Sequence, residues 1–242
     1  MKLTYGNQTI DFLNFDLPKV AVLSLSGGLD SAALFYLTCK FAPDIEIVPV
    51  TCIDLNGPLD ALAAIHIVQW MKENFPHVTI HSHELHHFND KTEDFVSFDQ
   101  VDFSRNTNSR YKGLNRRQMS KILQVDKINY SVLAKWQDAI RFDGMTSNPP
   151  IEDMKSFSME MYEKSENRRS HDDSKVLNSI LYQPFLNVNK KFVAGVYQEH
   201  DLMDSLFTFT NSCVGTSEET NNFRHVCERC FWCYEKKWAF DL

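Results

Sequence analysis

Two groups of residues in this chain have the types and the spacing to do chemistry. The first is Ser26-Gly27-Gly28-Leu29-Asp30-Ser31, set between an apolar run, Val20 to Leu25, and a stretch from Ser31 to Phe41 whose apolar residues recur at helical spacing. Strand, turn and helix in that order point backbone N–H groups and the positive end of a helix at an anion. The two glycines let the backbone approach phosphate oxygens, and Ser26 and Ser31 add hydroxyl donors. A carboxylate among phosphates repels them unless a cation intervenes, so Asp30 is expected either to hold Mg²⁺ or to cap the helix. The plainer alternative is a tight turn with Ser and Asp as caps. The chain has no G-x-x-x-x-G-K-S/T and no G-x-G-x-x-G after the strand, which argues against Walker-type and dinucleotide-binding loops.

The second group is Cys213, Cys227, Cys230 and Cys233, spaced C-x13-C-x2-C-x2-C. Unligated core cysteines would not favour x2 spacings, whereas four thiolates suit a tetrahedral, closed and therefore structural zinc site. Three cysteines at x2 spacing also occur around iron–sulfur clusters, but there the fourth follows closely, with a proline. Here it lies upstream, which favours zinc. Cys39 and Cys52 fall in apolar runs and read as core residues.

The elements that must position these groups alternate in type. Ile45 to Ile53 and Val78 to Glu84 read as strands, and Pro58 to Phe75 as an amphipathic helix opened by a proline. Helical patterns cover Arg116 to Gln124 and Asn129 to Ala139. Ile140 to Phe142 follows as a strand, with Asp143 to Pro150 as the loop at its carboxyl end. Asn189 is placed to cap a helix over Lys190 to His200. The alternation predicts an α/β fold, a parallel sheet with helices on both faces. Polar, aperiodic stretches near 89–113 and 151–175 read as insertions, the second as a lid or loop over a site. The expected division is a phosphate-binding α/β domain over 1–206 and a cysteine-bearing, zinc-binding segment over 207–242. His81, His83, His86 and His87 resemble a metal cluster, but alternating histidines on a half-exposed strand need only hydrogen bonds.

Composition bounds the reading. A 242-residue chain with 43% hydrophobic and 24% charged residues is long and mixed enough for one packed core. No run is long and apolar enough for a bilayer, and the N-terminal residues lack the apolar stretch of a leader, so the expected location is cytoplasmic, away from membranes. A formal charge of -7 disfavours nucleic acid as a partner, although Arg110, Lys112, Arg116, Arg117 and Lys121 could form a local basic patch.

The complete SGGxDS at Ser26 to Ser31 resembles the PP-loop ATP pyrophosphatases, whose fold is adenine nucleotide alpha hydrolase-like. The resemblance implies that Leu25, Ser26, Gly27, Gly28, Leu29, Asp30, Ser31 and Ala32 cradle ATP, with Thr51, Cys52 and Gly144 completing the nucleotide site. Adenine would lie near Val50 to Ile53, and ATP with Mg²⁺ would give AMP and pyrophosphate. Joined to the cysteine spacing, the motif is similar to that of 7-cyano-7-deazaguanine synthase. Pro184-Phe185-Leu186-Asn187-Val188-Asn189-Lys190 and Thr210-Asn211-Ser212-Cys213 also match that family's proline-to-lysine tract and T-x-S-C. The resemblance implies a homodimeric ligase that converts 7-carboxy-7-deazaguanine and ammonia to the nitrile. Asp30 and Lys190 would act at the phosphates, and a Zn²⁺ would sit on Cys213, Cys227, Cys230 and Cys233.

The chain departs from that family in the middle. Leu55-Asn56-Gly57-Pro58 replaces G-Q-R-H, Gly113-Leu114-Asn115-Arg116 only echoes P-G-R-N, and the G-Y-P-D-C-R tract is missing after Gly144. Those tracts recognise the substrate, so the adenylation chemistry carries over better than the acceptor. A protein or peptide end, or another nucleobase in a tRNA, phage-modification or defence setting, is the alternative acceptor. A nucleotide-sensing module that binds ATP without forming AMP is the non-enzymatic one.

Overall fold

The computed structural model describes residues 1–53, 59–87, 116–154 and 180–242, with backbone alone for 116–123, 151 and 154. The expected insertion near 89–113, the tracts at Leu55 to Pro58 and Gly113 to Asn115, most of the 151–175 stretch and the side chains of the basic patch lie outside the described residues.

Two short strands, β1 (Lys2–Tyr5) and β2 (Gln8–Asp11), open the chain as an antiparallel hairpin that the sequence reading did not anticipate. Its signals are the turn pair Gly6-Asn7 and the alternation of Leu3, Tyr5, Ile10 and Phe12, all buried. There follow β3 (Val20–Ser24), α1 (Leu29–Phe41), β4 (Glu46–Ile53), α2 (Leu59–Asn74), β5 (Glu84–His87), α3 (Arg116–Leu133), β6 (Ala139–Asp143), α4 (Ile151–Met154), β7 (Leu181–Tyr182), α5 (Lys190–Glu199), α6 (Leu206–Phe209) and α7 (Phe231–Phe240).

Strands β5-β4-β3-β6-β7 form one five-stranded sheet, and every neighbouring pair is parallel. Both faces are covered. Along β3, Ala21 and Leu23 join a core shared with α1, α2, α5 and the hairpin, while Val20 and Val22 pack with Val132 of α3. The order reverses at β3: the chain runs outward through β4 and β5 on one side of it and then through β6 and β7 on the other. Crossovers diverging there leave a crevice at the carboxyl ends of the strands, where ligands bind in open α/β sheets. The loop Leu25 to Gly28 leaves β3 at that point. Among the described residues no helix is long and apolar enough to cross a membrane.

Two expectations need correction. The strand expected over Val78 to Glu84 is a single bridge, Ile80 to Ile47, and the ladder itself runs over Glu84–His87 against Val50–Ile53. Between bridge and ladder, four steps from Ile80 to Glu84 face three from Ile47 to Val50, and such an extra residue breaks a ladder. The two helical patterns expected around residues 116–139 are one helix, α3, and Ala139 already belongs to β6. The apolar period is interrupted because Asp126 and Asn129 turn polar side chains onto Arg141 and Ser24 rather than onto the core.

Candidate active site

The glycine loop is fastened to β4 before it turns. The Leu25 N–H donates to the Val50 carbonyl at 2.8 Å, and the Thr51 hydroxyl donates to the Leu25 carbonyl at 2.6 Å. Gly27 then takes φ +80°, and a Cβ there would stand 2.0 Å from the Asp60 carbonyl oxygen, so the loop passes α2 only as glycine. The Asn211 N–H donates to the Gly27 carbonyl at 2.9 Å, and its Nδ2 donates to Asp60 at 2.7 Å, which brings the Thr210 to Cys213 tract against the loop.

The two serines shape the loop from within. Ser26 Oγ and Ser31 Oγ lie 3.1 Å apart, Ser31 Oγ accepts from the Ser26 N–H, and Ser26 Oγ accepts from the Gly28 N–H. Gly28 caps α1 with no side-chain hydrogen bond, so the N–H groups of the first turn look outside the helix for an acceptor. The side chains of Leu25, Leu29, Ala32 and Thr51 are buried, so these four residues position the loop from the core side.

Asp30 does not cap the helix. Its Oδ2 accepts from Lys190 Nζ at 2.6 Å and from Thr146 Oγ1 at 3.2 Å, while Oδ1 is buried and has no hydrogen-bond partner. Lys190 is buried at the start of α5, and its Nζ also lies 3.7 Å from Oε2 of Glu235, a fully buried residue of α7. Lys190 thus lies between two carboxylates, and the unpartnered Asp30 Oδ1 is the oxygen that a divalent cation could take. Gly144 lies against the backbone of Asp30: a Cβ there would be 2.7 Å from the Asp30 carbonyl oxygen. Tyr197, whose hydroxyl donates to the Leu29 carbonyl at 3.2 Å, is held protonated well above its usual range by burial and then by Asp30.

Two hollows meet at the loop. One, of about 350 Å³, lies over the strand ends and is lined by Leu25, Val50, Cys52, Gly144 and a polar wall of Arg141, Asp126, Asn129 and Asp143. The other, of about 370 Å³, lies between the loop and the cysteine tail, lined by Lys190, Asn211, Ser212, Val214 and Trp232. Ser26, Asp30, Asp60 and Met145 belong to both. In the polar wall, Arg141 donates from Nε to Ser24 Oγ at 2.9 Å, from one terminal nitrogen to Asp126 at 2.7 Å and from the other to Asp143 at 3.1 Å. Burial works against the guanidinium charge, but Asp143 and Asp126 outweigh it and hold the group above its ordinary value.

Sequence reasoning missed Arg141, Asp126, Asn129, Asp60 and Glu235 as parts of this site. The available signal for Arg141 is a charge between Ile140 and Phe142 in a strand buried on both faces. Among the histidines, His81 meets Glu46 at 2.8 Å, His83 meets Thr51 Oγ1 at 2.8 Å and His86 meets Glu84 at 3.0 Å, which is the hydrogen-bonded outcome.

The four tail cysteines converge. One sulfur from each of Cys213, Cys227, Cys230 and Cys233 lies within 4.8 Å of the others. A tetrahedral ion with ~2.3 Å bonds needs edges of about 3.8 Å between sulfurs. The pairs Cys227–Cys233 at 4.0 Å and Cys230–Cys233 at 3.5 Å bracket that value. The Cys227 N–H donates to Cys213 Sγ at 3.1 Å and the Cys230 N–H to Cys227 Sγ at 3.3 Å, bonds that stabilise thiolate charge. The donor set fits one metal ion.

The sequence matches no protein-family model, and no curated protein resembles it. Among solved structures it is similar to a U34-tRNA thiolase, NcsA, from Methanococcus maripaludis with its 4Fe-4S cluster, at 15% identity and a TM-score of 0.45. The match covers 78% of this chain and 59% of that one, so the chain spans under two thirds of the thiolase's length.

Proposed function

We propose that this chain is an ATP-dependent adenylating enzyme: an acceptor oxygen attacks the α-phosphorus, the bond to the bridging oxygen breaks, and pyrophosphate leaves. The observation that carries the reading is Asp30, at the mouth of a glycine loop and uncapped helix, bonded to Lys190 on one oxygen, with the other oxygen buried and unpartnered. Asp30 would hold Mg²⁺, which supplies charge neutralisation at the phosphates. The first-turn N–H groups of α1 and Lys190 would hold the departing pyrophosphate, and the hollow at Val50 and Cys52 would take adenosine. The tail cysteines would hold Zn²⁺ in a closed, structural site, because thiolates this close suit a single ion, whereas those of a cubane cluster each bind a different iron and must stand further apart.

The acceptor we infer is 7-carboxy-7-deazaguanine, on the pairing of the SGGxDS loop with the cysteine tail, which the structure brings into contact through Asn211 and Gly27. Its carboxylate would displace pyrophosphate to give an acyl-adenylate. Ammonia would add at the acyl carbon, lose a proton and expel AMP to leave the amide. A second ATP would adenylate the amide oxygen, and loss of AMP and a proton would give the nitrile. We place the enzyme in the cytoplasm as a homodimer, with no membrane or nucleic-acid partner.

Incubation of the purified protein with ATP, Mg²⁺, ammonium and that acid, followed by mass spectrometry, tests the reading. AMP, pyrophosphate and the nitrile are expected. ATP binding without AMP release in the presence of the acid overturns it and leaves a nucleotide sensor or another acceptor.

A further inference from the structure

The loop that leaves β6 reaches both members of the Asp30–Lys190 pair. Asp143 closes the last rung of β6 beside Ser24 of β3, and the buried Arg141 spans that rung. It donates from Nε to Ser24 Oγ at 2.9 Å and from a terminal nitrogen to Asp143 Oδ2 at 3.1 Å, so the loops leaving the two strands start from one anchor. The other oxygen of Asp143 turns the chain by accepting from the Met145 N–H at 3.2 Å. Thr146 Oγ1 then donates to Asp30 Oδ2 at 3.2 Å, and the Ser147 N–H donates to the Val188 carbonyl at 2.8 Å, two residues ahead of Lys190.

These contacts use the two oxygens of Asp30 unequally. Oδ2 takes Lys190 Nζ at 2.6 Å and the Thr146 hydroxyl, while Oδ1 is buried and takes neither. Lys190 alone does not dictate that split, because an ammonium is a point charge on a flexible stem whose three donors can turn toward either oxygen. The Thr146 hydroxyl can dictate it. Its side chain is β-branched and so restricted at χ1, it is 1% exposed, and its backbone is held on both sides by the Asp143 and Val188 bonds.

We propose that Thr146 is a positioning residue for the divalent cation: by holding Oδ2 together with Lys190, it fixes the carboxylate so that Oδ1 is the oxygen offered to the metal. The inference rests on the adenylation reading, which puts Mg²⁺ on Asp30, and extends it to a residue outside the glycine loop. Carboxylates that bind metals are themselves held by hydrogen bonds from the residues behind them, and removing such a partner lowers metal affinity about 10–100-fold.

Calorimetric titration with α,β-methylene ATP, whose α–β bridge cannot be cleaved, tests the role. The quantity to read is the ratio of its Kd without added Mg²⁺ to its Kd with Mg²⁺, which isolates what the cation contributes. In Thr146→Val, which keeps the shape and removes the hydroxyl, that ratio is expected to fall roughly tenfold or more from wild type. Thr146→Ser restores the donor and should hold the ratio within about threefold. A merely structural role would raise both Kd values together and leave the ratio in place. Thr146→Ala carries the test if the valine methyl crowds Asp30 and the chain fails to fold. A wild-type ratio in the variants without the hydroxyl, or an equal fall in the serine variant, overturns the role of Thr146 and leaves the adenylation reading standing. A ratio near one in the wild type removes the cation from Asp30 and overturns both.

Discussion

Asp30, Lys190 and Glu235 are tied to one another across three elements, with Lys190 paired to both carboxylates. Asp30→Asn keeps the shape and removes the charge that a divalent cation needs. AMP formation should fall by about 100-fold or more, the scale of losing one organised electrostatic partner at a transition state. Pyrophosphate release assays check it. Lys190→Met acts differently, because it removes the cation from a largely buried ion pair with Asp30, and breaking a buried pair costs about 3–5 kcal/mol. Asp30 is partly exposed, so about 3 kcal/mol by urea denaturation is expected, with activity lost in parallel. Gly27→Ala should abolish activity and cost at least ~2 kcal/mol, since it combines a left-handed φ with a clash on the Asp60 carbonyl. The glycine loop was legible in the sequence because its parts are contiguous. The Lys190–Asp30 bond spans 160 positions, and only the resemblance of the Pro184 to Lys190 tract pointed to it. Asp60 and Glu235 gave no signal, since a lone carboxylate in a helix does not announce its partner.

Strand β4 and the segment behind it carry a pH dependence of their own. Thr51 spends its proton on the Leu25 carbonyl, so His83 donates from Nε2 to the Thr51 oxygen. Burial, with Lys72 adding, pushes the His83 imidazolium down to about 4. In the unfolded chain the group titrates near 6.5. Between those values the unfolded state binds the proton and the native state does not, so stability from this residue is complete above about 6.5 and is lost as pH falls toward about 4. With allowance for its partial exposure, the loss should be about 2 kcal/mol. The urea midpoint of His83→Gln, which keeps a donor at that place, should fall less steeply than wild type between pH 7 and 4.5. A wild-type slope in the variant assigns the dependence elsewhere. The helices and central strands were readable from periodicity, and Asn189 caps α5 as expected, accepting from the Lys191 N–H at 3.0 Å. Periodicity failed at β5, where an added residue shifts the ladder, and in α3, where Asp126 and Asn129 serve the site instead of the core. The cysteine spacing was readable for the opposite reason, because ligands close in sequence must be close in space. A chelator that removes one ion per chain should loosen the segment from Cys213 to Cys233 to proteolysis, and metal analysis should give a stoichiometry near one, without the visible absorbance of an iron–sulfur cluster.

The hairpin of β1 and β2 is remote from Lys190 in sequence, yet it clamps the start of the helix that carries it. Gln8 clamps the start of α5 with two bonds: its Nε2 donates to Asn189 Oδ1 at 2.8 Å, and its Oε1 accepts from the Asn189 N–H at 2.8 Å. Tyr5 meets Phe192 edge-on at 5.2 Å, and Phe12 lies 6.2 Å from Tyr182 of β7. Leu3, Tyr5, Ile10 and Phe12 belong to the same core as Leu23 of β3 and Phe240 of α7. At about 1.5–3 kcal/mol for each buried side chain, those four contribute roughly 6–12 kcal/mol. That is comparable to the ~5–15 kcal/mol by which a whole domain is stable, so deletion of residues 1–12 should leave a chain with no cooperative unfolding transition by circular dichroism. Gln8→Ala separates cover from clamp. It keeps every apolar contact and removes the two bonds to Asn189, which should cost about 1–3 kcal/mol. If the clamp sets where Lys190 stands, AMP formation should also fall several-fold at saturating ATP, with the KM for the acceptor unchanged. A variant that loses stability but keeps its turnover would make the hairpin a cover for the core alone.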